Sequence, residues 1–154
     1  MNTFPLEQKI CMITGGLGGF ASAISGLILK RGAKVWLCDL KEEDEGMLTL
    51  QNQFPEAFDK NNIGYCQCDV TNENSFDAAF RKCIEKLGEV PDILINAAGI
   101  LGEEQWDTLY DINLVRKYLY VITHRTISIC SSGRRGSGAL LPSLTRGKIF
   151  INLA

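Results

Sequence analysis

The residues with the clearest capacity for chemistry lie near the start of the chain, in Lys9-Ile-Cys-Met-Ile-Thr-Gly-Gly-Leu-Gly-Gly-Phe-Ala-Ser-Ala-Ile24. A short apolar run feeds a glycine-dense turn, Thr14, Gly15, Gly18, Gly19 and Phe20 among its members, and a small-residue helical pattern follows at once. Glycine reaches backbone angles that other residues resist, and without a Cβ it lets a phosphate approach main-chain N–H groups. Strand, glycine turn and helix N-terminus in that order form a cradle for the pyrophosphate of a dinucleotide. The spacing is Gly15-x-x-x-Gly19-x-Ala21. It is not G-x-G-x-x-G, and without Lys-Ser/Thr after the last glycine it is not a Walker A loop.

Three further positions converge on the same chemistry. Asp39 closes the apolar run Val35-Trp-Leu-Cys-Asp39, 24 residues after Gly15. A carboxylate there accepts hydrogen bonds from both hydroxyls of an adenosine ribose and repels a 2′-phosphate, which favours NAD over NADP. Lys41, two residues on, weakens that preference. Asp69-Val70 follows a third apolar run and either faces an adenine ring or caps the next helix. Asn96-Ala97-Ala98-Gly99 ends a fourth run with small residues that leave room for a nucleotide, and the Asn96 amide can tie neighbouring loops together.

Other polar residues carry less. His124 is the single histidine, with no clustered acids or suitably spaced cysteines, so no metal site is expected. Glu42-Glu43-Asp44-Glu45 and Glu103-Glu104 fall at helix starts, where acids suit the helix dipole. Ser131, Ser132 and Ser137 sit in a Gly/Arg/Ser-rich stretch with no base placed to activate them.

The elements that must position these residues follow from hydrophobic periodicity. Strands are predicted over 9–14, 35–39, 63–70, 92–96 and 148–152. Helices are predicted over 19–31, with Ile24, Leu27 and Ile28 inward and Gly32 as C-cap; over 42–57, with Met47, Leu50 and Phe54 inward and Pro55 weakening the last turn; from the Thr71-Asn-Glu-Asn-Ser75 cap to Gly88; and over 103–123. Alternating strands and helices of this size imply a doubly wound parallel sheet of order 3-2-1-4-5, covered by helices on both faces, with right-handed crossovers. Its ligand crevice lies at the carboxyl ends of strands 1 and 4. The glycine turn, Asp39, Asp69 and Asn96 all fall at carboxyl ends.

Composition agrees with one globular domain over residues 1–154: 45% hydrophobic, 22% charged and a net charge of −2. The charge is uneven, with all 18 acidic residues in 1–111, and seven Lys or Arg without an acid in 112–154. Those basic residues are scattered among Leu, Ile, Ser and Gly, which argues against a nucleic-acid surface. No apolar run is long enough to span a bilayer, and no signal peptide is expected. The six cysteines fall mostly inside apolar runs, with Cys66 and Cys68 on one strand face, as expected of buried, reduced thiols in a cytoplasmic protein.

Taken together, Thr14-Gly-Gly-Leu-Gly-Gly-Phe-Ala21, Asp39, Cys68-Asp-Val70, Asn96-Ala-Ala-Gly99 and Asp111-Ile-Asn-Leu-Val115 resemble the short-chain dehydrogenase/reductase family. The likeness is greatest to its NAD-dependent 15-hydroxyprostaglandin branch and to insect alcohol-dehydrogenase-like relatives. It implies a Rossmann-type fold, NAD as cofactor, hydride transfer on small-molecule secondary alcohols or ketones, and a possible homodimer. The family's Thr-Gly-x-x-x-Gly-x-Gly loop falls on Thr14, Gly15, Gly19 and Ala21, and its Asn-Asn-Ala-Gly segment becomes Asn96-Ala97-Ala98-Gly99. The helix asparagine of its catalytic tetrad falls on Asn113, which in the family shapes a proton-relay path.

The rest of the tetrad has no match. A serine should follow strand 5, with a Tyr-x-x-x-Lys pair on the next helix, where the tyrosine exchanges the alcohol proton and the lysine lowers its pKa. None of the four tyrosines has lysine four residues on, and the sequence given stops at Ile151-Asn-Leu-Ala154, where the serine segment is expected to begin. The resemblance covers 7–115 and 147–153, leaving 126–146 as an atypical loop-like segment. Two readings therefore stand: the cofactor-binding part of an NAD-dependent oxidoreductase, lacking the last helices and strands of the fold, or a catalytically inactive NAD-binding or interaction protein from a truncated paralogue or incomplete gene model.

Overall fold

A computed structural model describes residues 5–100, 106–116 and 149–152. Five parallel strands, β1 (Ile10–Thr14), β2 (Lys34–Asp39), β3 (Ile63–Gln67), β4 (Ile93–Asn96) and β5 (Ile149–Asn152), form one sheet in the order β3-β2-β1-β4-β5. That is the expected Rossmann-type order. The reason is visible in β1, whose five residues are all buried: a parallel strand covered on both faces must be apolar throughout.

Side-chain alternation sorts the core into two layers. Met12, Trp36, Cys38, Cys66 and Leu94 face α4 (Glu73–Leu87), which packs Phe76, Ala79, Phe80 and Cys83 against them. Cys11, Ile13, Val35, Leu37, Tyr65 and Ile95 face the opposite way, toward Ala21 and Ile28 of α1 (Gly19–Leu29) and Leu50 of α2 (Glu43–Gln53). Strands β1 and β4 are tied at their amino ends by Asp92. It accepts from Lys9 Nζ and from the Ile10 amide, both at 3.0 Å, so β1 and β4 start level.

Several boundaries differ from expectation, each for a local reason. On α1, Leu27 is 55% exposed while Ser25 is buried, its hydroxyl satisfied by the Ala21 carbonyl at 2.7 Å. Gly32 lies beyond the cap rather than at it, at φ +78°, and its amide reaches back to the Leu29 carbonyl. The helix expected over 42–57 is two helices. Phe54 leaves helical geometry, and α3 (Pro55–Asp59) restarts with proline in its first turn, where a missing N–H costs nothing. Strand β3 ends at Gln67 rather than Val70, because Asp69 turns the chain by accepting from the Thr71 amide and hydroxyl at 2.8 and 2.7 Å. Asn72 then caps α4 by accepting from the Ser75 amide, and Gly88 ends it in the left-handed region at φ +85°, as expected. The helix predicted over 103–123 is seen as α5 (Trp106–Tyr110), which continues as a π-helical turn over Asp111–Arg116. Glu103, Glu104, His124, Cys130, Ser131, Ser132, Ser137 and the 126–146 segment lie outside the described residues.

Candidate functional site

The carboxyl ends of β1, β2 and β4 carry the residues singled out above. Gly15 leaves β1 with φ +65°, and a Cβ on it would lie 2.6 Å from the Ala98 Cα and 2.7 Å from the Ala98 nitrogen. Both the angle and the space require glycine at this position. The close approach is held by Thr14, buried at the end of β1, whose carbonyl accepts from the Ala97 amide at 3.2 Å and whose hydroxyl accepts from the Ala98 amide at 3.3 Å. The glycine turn and the Asn96–Gly99 segment are thereby locked together, and Asn96 is buried beneath them.

Gly19 has a different role. It is the first residue of α1, it is exposed, and a Cβ on it would meet nothing within 4 Å. Packing gives no reason for glycine there. An anion at this helix N-terminus would, since uncapped N–H groups and the positive end of the dipole favour negative charge there. Gly18, the N-cap, makes no side-chain cap, and α1 has no acid in its first turn to compete for that end. Phe20 stands exposed beside it.

Asp39, half-buried at the end of β2, is aimed at the same loop. Its Oδ2 accepts from the Leu17 amide at 2.9 Å and its Oδ1 from the Leu40 amide at 2.7 Å, so the carboxylate faces the glycine turn across the crevice. Lys41 is drawn the other way. Its ammonium is ion-paired with Glu45 one helical turn on, and that partner raises its pKa. The Asp69 carboxylate is engaged by Thr71, and its amide is satisfied by Ser75 Oγ at 3.0 Å; Val70 packs against the α4 side of the core.

Asn113 lies on the π-helical turn and closes the far side. Its Oδ1 accepts from the Ile100 amide at 3.1 Å and its Nδ2 donates to the Ile100 carbonyl at 3.0 Å. Gly99 makes room for this, since a Cβ there would lie 3.0 Å from Asn113 Oδ1. The two-bond clasp joins the segment after β4 to the helix at the point where its winding widens, and π turns of this kind recur at functional sites.

Sequence reasoning missed three contributors. Gly16 donates its amide to the Cys38 carbonyl at 3.0 Å, and a Cβ there would crowd Leu37 Cβ at 2.7 Å. Tyr65 and Gln67 on β3 bond the backbone after Asp39. The available signal was a tyrosine in an otherwise apolar strand, whose hydroxyl must find a partner once buried. Among the described residues no group of His, Cys, Asp or Glu could hold a metal, and no helix is long and apolar enough to cross a membrane.

The short chain dehydrogenase family model matches residues 9–136. The chain is 33% identical over 110 residues to bovine 15-hydroxyprostaglandin dehydrogenase (NAD(+)), covering 71% of this chain and 40% of that protein. It is 31% identical over 146 residues to short-chain dehydrogenase reductase 3a of Arabidopsis thaliana, covering 89% and 54%. The chain thus spans about half the length of such curated relatives. Among solved structures, 3-ketoacyl-(acyl-carrier-protein) reductase from Brucella melitensis, complexed with NADH, superposes with a TM-score of 0.63 at 28% identity, covering 77% of this chain and 49% of that one. With its glycine turn, its sheet order and its sequence in agreement, this chain belongs to the short-chain dehydrogenase family.

Proposed function

We propose that residues 1–154 form one dinucleotide-binding domain that holds NAD for hydride transfer on secondary alcohols or ketones of the hydroxyprostaglandin kind. The observation that carries this reading is the pairing of open space at Gly19 with the Asp39 carboxylate across the same crevice. Residues and cofactor fit: the pyrophosphate would lie on the N-terminus of α1 at Gly18 and Gly19, and the adenosine ribose would lie against Asp39. Ala97 and Gly99 keep the path between the halves of the nucleotide clear, and Asp69-Val70 borders the adenine. A bound nicotinamide supplies the hydride acceptor or donor. Asp39 disfavours a 2′-phosphate by charge, and Lys41, the nearest cation in sequence, is already neutralised by Glu45. Asn113 anchors its helix to Ile100 and thereby shapes the proton path beside the nicotinamide.

The proton donor itself lies outside these residues, since no tyrosine here is followed by lysine four residues on. That observation favours a second reading for the chain as given: it binds NAD without turning over an alcohol. Five free, buried cysteines among the described residues support a cytoplasmic setting, and the exposed Trp106 and Tyr110, one turn apart on α5, support a homodimer.

Calorimetric titration with NAD and with NADP tests the site. The wild-type chain should prefer NAD, and Asp39→Asn, which keeps the shape and removes the charge, should narrow the preference by about tenfold. A wild-type preference for NADP, or binding of neither, overturns the reading. NADH formed from a secondary alcohol by this chain would eliminate the non-catalytic alternative.

A further inference from the structure

The turn that carries Asp39 is held from a direction the family signature does not mark. Its carbonyls are satisfied one after another: Asp39 O accepts from the Cys68 amide at 2.7 Å, Leu40 O from Gln67 Nε2 at 3.0 Å, and Lys41 O from the Tyr65 hydroxyl at 2.7 Å. The Tyr65 hydroxyl also lies 3.2 Å from Asp39 O. Tyr65 and Gln67 are two residues apart on β3, so both project on the α2 side of the sheet, toward the turn. The Tyr65 ring is 1% exposed and leaves no freedom for its hydroxyl to swing away. It lies so close to α2 that a Cβ on Gly46 would come within 2.4 Å of its Cδ1, which accounts for a glycine in the interior of a helix. Burial, followed by the nearby Asp39 charge, raises the phenol pKa, so the hydroxyl remains a donor.

We propose that Tyr65 and Gln67 are positioning residues for the adenosine end of the site: by holding the Lys41 and Leu40 carbonyls they fix the turn that aims the Asp39 carboxylate, and so set the discrimination between a ribose hydroxyl and a ribose 2′-phosphate. This rests on the dinucleotide reading of the crevice. The hydroxyl donates to backbone at 2.7 Å, and the amide donates to the Leu40 carbonyl at 3.0 Å and to Glu42 Oε1 at 3.3 Å, so both act on the turn and through Asp39 rather than on the ligand. A turn released from β3 lets the carboxylate relax toward solvent, which weakens its grip on the ribose hydroxyls and its repulsion of a phosphate together.

The test is calorimetric titration of NAD and NADP into the full chain carrying Tyr65→Phe or Gln67→Leu, with a thermal melt of each variant. Tyr65→Phe keeps the ring beside Gly46 and removes only the donor; exposed Gln67 can be changed without disturbing the core. Each variant should lose NAD affinity about fivefold, as expected for one hydrogen bond, while NADP affinity falls less, so that the ratio of the two dissociation constants narrows. A purely structural role would weaken both nucleotides equally and leave that ratio unchanged, which would overturn the proposal. So would NAD affinity equal to wild type in both variants. A wild-type chain that binds neither dinucleotide overturns the reading of the crevice itself, and is recognised as such before any variant is compared.

Discussion

Gly15 and Gly19 are four residues apart in one loop, yet the structure assigns them opposite costs. Alanine at Gly15 must adopt φ +65°, a left-handed angle that costs an L-residue roughly 1–2 kcal/mol. Its Cβ would also stand 2.6 Å from the Ala98 Cα, and backbone pinned to Thr14 by two hydrogen bonds cannot step aside, adding an overpacking cost of about 1–3 kcal/mol. Gly15→Ala should therefore lose about 2–5 kcal/mol, or roughly 5–20 °C in melting temperature for a domain of this size. Alanine at Gly19 meets nothing within 4 Å and replaces glycine in a helix, so it should leave stability unchanged or raise it by about 0.4–1 kcal/mol. Its methyl group occupies the space assigned to the pyrophosphate, so NAD affinity should fall by about tenfold or more. Chemical denaturation and calorimetric NAD titration on both variants separate the two effects. A Gly15→Ala chain as stable as wild type would refute the packing argument, and a Gly19→Ala chain that binds NAD normally would refute the placement of the cradle.

Two other outcomes follow from the same geometry. Asn113→Ala removes both bonds to Ile100 at an exposed position, so it should cost about 1–2 kcal/mol and increase amide hydrogen exchange at Ile100 more than in β1; unchanged exchange there would show that the clasp does not hold the segment. Alkali should destabilise the fold. Among the described cysteines, burial pushes Cys11 and Cys68 from 9.0 up to about 12, with Cys38 and Cys83 also raised and Cys66 alone lowered, by the Cys38 thiol and then the Trp36 N–H. Thiols neutral when folded and ionised when unfolded give stability that is complete below pH 9 and declines between about 9 and 12, by up to about 1.4 kcal/mol per pH unit for each such thiol. Denaturation midpoints that stay flat over that window would contradict the burial of these thiols.

What could be read from the chain alone follows from how local each signal is. The placement of the glycine turn, Asp39 and the small residues after β4 at one edge of the sheet was legible because each is a short run closing a strand, and parallel strands bring their carboxyl ends together. The 42–57 helix was read as one because Met47, Leu50 and Phe54 keep helical spacing across the break, and periodicity does not register a restart at Pro55. Leu27 was placed inward for a similar reason. A helix covering only one part of a sheet leaves some of its apolar stripe at the surface, and spacing alone cannot say which residue that is.

By itself the sequence determined the alternation of strands and helices, the sheet order they imply and the glycine turn at the start of α1, all of which rest on periodicity and on residues close together in the chain. Only the tertiary structure decided which glycine is required by packing and which by open space, because the Ala98 backbone that crowds Gly15 lies 83 residues away in sequence. It also decided that Asp39 faces the glycine turn while Lys41 is held by Glu45, and that Tyr65 and Gln67 secure the turn between them. Apart from the local pair of Lys41 and Glu45, one helical turn apart, those contacts join segments that are neighbours only across the sheet. No local pattern encodes them, because each depends on two side chains or backbones meeting after the chain has folded.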